Sequence, residues 1–187
     1  MSSSAIISEV SNLLRDILKA GLDRPGVPAT VEIKSPADFK EELPHLSIWL
    51  YQVTPNAYLM NAPNVRIRDD ESELITPLSL DLYYLLTPSQ PNEEVNQRTL
   101  GAALQVLYDN SILPLHVGDD VEELHLSICQ RSIEELAKVW EALQKAYRLS
   151  VCFEVRVVRI DSKRKPPAGR VRDRITEFED KPEEVAV

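Results

Sequence analysis

The stretch from Leu46 to Val53 constrains the fold most, because it has apolar residues at both its even-numbered and its odd-numbered positions. Successive side chains of a strand point to opposite faces of its sheet. The two faces of this stretch would carry Leu46, Ile48 and Leu50 on one side and Trp49, Tyr51 and Val53 on the other. A strand with two apolar faces has to be covered on both sides. The sequence therefore predicts an internal strand, with further layers against both of its faces.

Four other stretches have the composition of strands. They lie around Thr30 to Lys34 and at Leu78 to Leu86, Leu124 to Cys129 and Leu149 to Ile160. Every second residue from Leu78 is a leucine or a tyrosine, and Pro88 and Pro91 are expected to end that strand. In the last stretch one face is predicted to carry Leu149, Val151, Phe153, Val155 and Val157.

Three segments have the periodicity of amphipathic helices. The first has apolar residues at helical spacing, a serine among Ser2 to Ser4 as its predicted cap and Gly21 as its predicted end. Asn92 is the predicted cap of the second, and Ser132 with Glu135 forms an S-x-x-E capping box for the third. Their apolar faces are Ile6, Ile7, Val10, Leu13, Leu14, Ile17 and Leu18; Leu100, Ala103, Leu104 and Leu107; and Leu136, Trp140, Leu143 and Tyr147.

This order of elements predicts an α/β fold, in which three helices pack on a mixed sheet of about five strands. It leaves the order of the strands in the sheet open. We expect one domain over residues 1–161 and a flexible tail over 162–187, basic at first and acidic at its end. The segment from Asn56 to Pro77 is a predicted long loop, and long loops in compact domains are often binding segments.

The formal net charge of −9 argues against a nucleic acid or an anionic membrane as a partner. No apolar run reaches the roughly 18 residues of a membrane span. The first residues lack the basic start and apolar run of a signal peptide, so we expect a cytoplasmic protein, with release by lysis left open. Cys129 and Cys152 are expected to be buried thiols.

Motifs for catalysis, cofactors and metals are missing from the sequence. The three histidines lack partners at metal-ligand spacing, and no P-loop, dinucleotide fingerprint or nucleophile elbow occurs. Asp81, beside Ser79 and Tyr83 on a predicted strand face, is expected to face solvent or an arginine, with a buried acid of raised pKa as the alternative. A hydrolase that uses Asp81 and Glu154 has no accompanying nucleophile. Trp49 and Trp140 are expected in the core, with interface anchors as the alternative.

Several segments together resemble one family, the tail-terminator (cap) proteins of extracellular contractile injection systems, which are phage-tail-like particles. The segments that carry this resemblance are LYQVTPNAYLMN (Leu50 to Asn61), PLSLDLYYLLTP (Pro77 to Pro88), LGAAL (Leu100 to Leu104), EELAKVW (Glu134 to Trp140) and YRLSVCFEVRVV (Tyr147 to Val158). They occur in the family's order.

The resemblance implies a phage tail-terminator-like fold and a structural role without catalysis or cofactor. Proteins of this family form a six-fold ring on the distal end of the inner tube, which stops tube growth and holds the last sheath layer. The implied partners are copies of the chain itself, the tube protein and the sheath protein. The interface residues that we predict are Asn56, Tyr58, Asn61, Arg66, Arg68, Lys163, Arg164, Lys165, Arg170 and Arg172. The alternative is a monomeric adaptor or chaperone for another tail component.

Overall fold

A mixed sheet with helices on both faces forms the body of the protein. The computed structural model describes residues 5–23, 27, 30–38, 44–59, 65–66, 73–74, 76–117 and 120–162. Within these ranges the elements are α1 (Ile6–Leu22), β1 (Thr30–Ile33), a short 3-10 turn (Pro36–Asp38), β2 (His45–Pro55), β3 (Val65–Arg66), β4 (Glu73–Leu74), β5 (Leu78–Ser89), α2 (Glu93–Asp109), β6 (Ile112–Val117), β7 (Asp120–Ile128), α3 (Ile133–Ala142) and β8 (Val151–Ile160).

The main sheet has six strands in the order β1-β2-β5-β8-β7-β6. β1 runs parallel to β2, whereas the other neighbours in this sheet are antiparallel. β2 therefore has a strand on each side, which confirms the internal position predicted from its two apolar faces. β5 and β8 occupy the middle of the sheet, and β1 and β6 form its edges.

α1 and α2 cover one face of this sheet and enclose the main core. The buried stripe of α1 packs with Leu82 and Tyr84 of β5 and Phe153 of β8. Burial of each large apolar side chain contributes about 1.5–3 kcal/mol. The hydroxyl of Tyr84 is hydrogen-bonded to Ser11 of α1 at 2.8 Å, so this buried polar group has a partner. The amphipathic pattern of the first helix thus predicted its packing face correctly.

α3 lies against the opposite face of the sheet. The predicted capping box is present, because the Glu135 N–H donates to Ser132 and the Glu135 carboxylate accepts from the Ser132 N–H. Trp140 is buried, and its indole N–H donates to Ser150 Oγ at 3.2 Å. This confirms the core position of Trp140, whereas Trp49 is half-buried. Tyr147 lies beyond the helix, although its ring still contacts that of Trp140 at 6.4 Å between centroids.

Two bulges break the predicted strict alternation. The first is at Tyr51, so that Gln52 pairs with Tyr83 and Val53 with Leu82. Val53 therefore lies on the α1 side of the sheet, and its predicted place on the Trp49 face is wrong. The second bulge lies in β8, between the partners of Leu80 and Leu82. After this second bulge, Val158 is the buried residue of β8. An inserted residue reverses the faces of all later side chains in a strand.

Two predicted boundaries and the strand count also differ from the structure. β6 was not predicted, because it is short and contains Pro114. An edge strand such as β6 tolerates a proline. The predicted long loop contains β3 and β4, which pair with each other. β5 continues through Pro88, although Pro88 was expected to end it. β8 pairs with β5 only as far as Leu86, so no described strand lies beside Pro88 on the β8 side of β5. Leu149, predicted in the last strand, precedes β8.

The ends of α1 depart from prediction as well. The predicted caps Ser2 to Ser4 lie outside the described residues, and Ala5 occupies the cap position without a side-chain cap hydrogen bond. Gly21 does not end the helix, which continues to Leu22. A Cβ atom on Gly21 would lie 2.3 Å from Val106 Cγ2. The glycine thus permits close approach of α1 to α2.

Candidate interaction surface

Topology brings the two predicted binding segments to one end of the sheet. β2 ends at Pro55 and β5 begins at Leu78 there, so the loop between them starts and finishes at this end. Leu78 also pairs with Ile160, the last residue of β8. The chain that follows β8 therefore begins beside the loop. We call this region the loop end of the sheet.

Asn56 fixes the first turn of the loop to β5. Its backbone N–H donates to Ser79 O at 2.9 Å, and its amide Nδ2 donates to both carboxylate oxygens of Asp81, at 3.0 and 3.1 Å. Its Oδ1 accepts the backbone N–H groups of Tyr58 and Leu59, both at 3.1 Å. Asn56 is only 5% exposed. It therefore positions the loop from within, whereas the neighbouring residues face outward.

The structure corrects the expected surroundings of Asp81. The prediction that Asp81 faces solvent is wrong, because its side chain is buried and bonded to Asn56. Glu154 is buried on the adjacent strand, where it accepts a hydrogen bond from Ser127 at 3.0 Å and pairs with Arg156. Both carboxylates thus make contacts that hold strands together, which is a structural use of buried charge.

Apolar side chains are exposed at the loop end. Tyr58 is 91% exposed and Leu78 is 51% exposed, and Val53 also reaches solvent. We call Val53, Tyr58 and Leu78 the loop-base patch. Tyr58 lies in the turn after β2 and Leu78 is the first residue of β5, and aromatic side chains are enriched at protein interfaces.

Only some of the predicted interface residues are described. Asn56 and Tyr58 lie at the loop end, and Arg66 lies in β3, where only the backbone is described. The others lie outside the described residues: Asn61, Arg68, Lys163, Arg164, Lys165, Arg170 and Arg172. Sequence reasoning missed Val53 and Leu78 as surface candidates, because both fit the pattern of buried strand positions. The burial of a strand position depends on what packs over it, and no local pattern gives that.

None of the helices in the described ranges is long and apolar enough to cross a membrane. These ranges contain no cluster of three or more His, Cys, Asp or Glu side chains that could hold a metal ion. The two cysteines are free thiols, with Cys152 buried and Cys129 half-buried.

The fold is that of tail-terminator proteins. The chain resembles the sheath/tube terminator of the extracellular contractile injection system PVC in its extended state, with 20% identity and a TM-score of 0.64, over 100% of this chain and 66% of that one. It also resembles the tube-terminating cap of the anti-feeding prophage, with 18% identity and a TM-score of 0.60, over 90% of this chain and 60% of that one. This chain thus spans less than two thirds of either solved chain.

The chain belongs to the Pvc16 N-terminal domain family, whose model matches residues 9–174. The match covers the described body from Glu9 onward and continues into the predicted tail. No curated protein matches the sequence significantly.

Proposed function

We propose that this protein is the tube terminator, or cap, of a contractile injection particle. Copies of the chain form a homohexameric ring on the distal end of the inner tube, where the ring stops tube growth and anchors the last layer of sheath. The family match over residues 9–174 carries this proposal. The likeness of the fold to a sheath/tube terminator and to a tube-terminating cap supports it. Assembly takes place in the cytoplasm of the producing cell.

The loop end provides the contacts of the ring in this proposal. Closure of a ring requires two different patches on each subunit that meet head to tail. The loop-base patch is apolar and exposed, and the basic residues Lys163, Arg164 and Lys165 follow β8 from the same end of the sheet. The patch contacts a neighbouring subunit, and the segment after Asp161 binds the tube or the sheath.

Electron microscopy of particles made without this chain tests the function. A terminator limits the length of the tube, so its loss is expected to give overlong or ragged tubes. Particles of normal length and with normal ends would contradict the proposal. Restoration of normal ends by the wild-type chain is the necessary control.

The ring contact is tested separately by mass measurement of the purified protein, alone and with tube protein. A combined Tyr58→Ala and Leu78→Arg variant is expected to lose the ring. Tyr108→Ala removes a tyrosine that is 79% exposed on the last turn of α2 and serves as the matched control. A wild-type protein that stays monomeric in the presence of tube protein would favour an adaptor or chaperone instead.

A further inference from the structure

Cys129, the residue directly after β7, lies opposite Cys152 of β8. Ile128 of β7 pairs with Phe153 of β8, and the next backbone bond runs from Cys129 N to Cys152 O at 2.9 Å. Opposed residues of an antiparallel pair have their Cα atoms about 4.5–5.5 Å apart. That separation falls within the range of natural disulfides, about 4.4–6.8 Å. The backbone therefore places the two thiols where they can be linked.

Polar side chains act on the sulfur of Cys152. The Tyr51 hydroxyl lies 3.0 Å from Cys152 Sγ. The thiol of Cys129 and the guanidinium of Arg131 also act on the protonation of this sulfur. Arg131 is held in place by a bond to Glu135 at 3.2 Å and by the ring of Tyr83, 5.1 Å away. Donors around a buried sulfur stabilise the thiolate over the thiol.

The two sulfurs are consequently unequal. The hydrogen bond from Cys129 and those from Tyr51 and Arg131, together with the Arg131 charge, lower the pKa of Cys152 to about 7 against the opposing effect of burial. The pKa of Cys129 is raised by its bond to Cys152, by burial and by the negative charge of Glu154. The cluster therefore favours the thiolate at Cys152 over the thiolate at Cys129.

A cavity lies beside this cluster. It has a volume of about 180 Å³ and is lined by Arg131 and by Tyr51, whose hydroxyl contacts the sulfur of Cys152. This volume exceeds the roughly 30 Å³ that one water molecule takes up in the liquid. The Nε atom of Arg131 is buried without a hydrogen-bond partner among the described residues, so it is available to a polar molecule in the cavity. Cys152 itself is 2% exposed, which excludes large reagents.

We propose that Cys152 and Cys129 form a dithiol that reacts with hydrogen peroxide. The Cys152 thiolate attacks one peroxide oxygen, the O–O bond breaks, and the products are Cys152 sulfenic acid and hydroxide. The Cys129 thiol then attacks the sulfenic sulfur, which gives the Cys129–Cys152 disulfide and water. The thiol proton that Cys152 released neutralises the hydroxide. Overall two thiols lose two electrons, and one peroxide becomes two waters.

Peroxide treatment of the reduced full-length protein at pH 7 tests the reaction. Thiols that survive are blocked with N-ethylmaleimide after denaturation, and peptide mass mapping locates them. We expect both thiols to disappear and an intramolecular Cys129–Cys152 peptide to form. In Cys129→Ser the sulfenic acid has no resolving thiol, so dimedone is expected to label Cys152 when the oxidised protein is unfolded in its presence. Survival of both thiols under a dose that oxidises free cysteine would overturn the proposal, as would disulfides between chains in place of the internal one.

The donor set is tested with conservative variants. Tyr51→Phe removes one donor and is expected to slow oxidation at pH 7 several-fold, whereas Tyr108→Phe removes an exposed hydroxyl on α2 and should leave the rate unchanged. Thiolate absorbance at 240 nm, taken as the difference from Cys152→Ser, should rise with a midpoint near pH 7 and move upward in Tyr51→Phe. A midpoint at or above that of free cysteine, or equal rates in the two tyrosine variants, would refute the role of the donors. These outcomes do not depend on whether the chain ends a tube.

Discussion

At the scale of single residues, the Asn56 side chain determines where the loop leaves the sheet. One amide connects Asp81 in β5 with the N–H groups of Tyr58 and Leu59 in the loop. A buried carboxylate needs such partners, because its desolvation is costly. The sequence did mark Asp81 as an unusual charge among apolar residues. Its partner is 25 positions away, and only the pairing of β2 with β5 shows that the two meet.

Asn56→Asp tests this connection. The substitution places a second carboxylate against Asp81, and we expect it to reduce the free energy of unfolding at pH 7 by about 3–5 kcal/mol, as an uncompensated buried charge does. The swapped pair, Asn56→Asp with Asp81→Asn, should recover much of this loss, because the new amide donates and the new carboxylate still accepts from Tyr58 and Leu59. Urea unfolding measures both. A swap no more stable than the single variant would show that the contact is unimportant.

At the scale of elements, the long and periodic segments were predictable and the irregular ones were not. The stripe of α1 and the capping box of α3 are local patterns, and both are present in the structure. The bulge at Tyr51 reverses the faces of a strand without any local signal, because Gln52 and Val53 fit either register. β6 was missed because its proline and its short length conceal an edge strand.

Gly21 tests the packing of α1 on α2. A methyl group there would lie 2.3 Å from one Val106 methyl and 2.9 Å from the other, and valine has little rotamer freedom with which to move aside. We expect Gly21→Ala to reduce the free energy of unfolding by about 1–3 kcal/mol. The loss should shrink in a Val106→Ala background, which removes both methyl groups.

Gly101 in α2 provides the matched control for Gly21. A Cβ atom there meets nothing within 4 Å. Gly101→Ala should therefore be neutral or should stabilise the protein by up to about 1 kcal/mol, the propensity difference within a helix. Denaturant unfolding of the two variants side by side gives the comparison. Equal effects at both glycines would contradict the packing argument.

The N-terminus of α3 gives a prediction about pH. The Ser132 N–H donates to the Glu135 carboxylate, and this bond, with help from Arg131, lowers the pKa of Glu135 below its ordinary value of 4.5. A depressed pKa stabilises the fold above the ordinary value, and that contribution is lost as pH falls through the lowered one. Glu135→Ala should therefore destabilise the protein more at pH 7 than at pH 3. Thermal unfolding at both values measures the difference, and Glu141→Ala, near the other end of α3, is the control.

At the scale of the whole molecule, the fold class could be predicted from the sequence. Which surface segments lie next to each other could not. The order of elements in the sequence gives an α/β body with three helices, and the structure agrees. The sequence also marks the loop and the tail as separate charged segments. The loop and the tail start at the same end of the sheet because β5 lies between β2 and β8. Strand order is a long-range property, so no pattern within either segment contains it.

Removal of residues 162–187 tests the division of labour between body and tail. β8 ends at Ile160, and Val158 is the last fully buried residue of the core, so the truncated chain keeps every described strand and helix. We expect its unfolding midpoint to match that of the full chain. Particle assembly should nevertheless weaken, because the basic residues from Lys163 onward are lost. Charge reversal at Lys163, Arg164 and Lys165 should weaken assembly in the same direction and keep the chain length. Full-length, contractile particles from the truncated chain would exclude a role for the tail and leave the loop-base patch as the surface to test next.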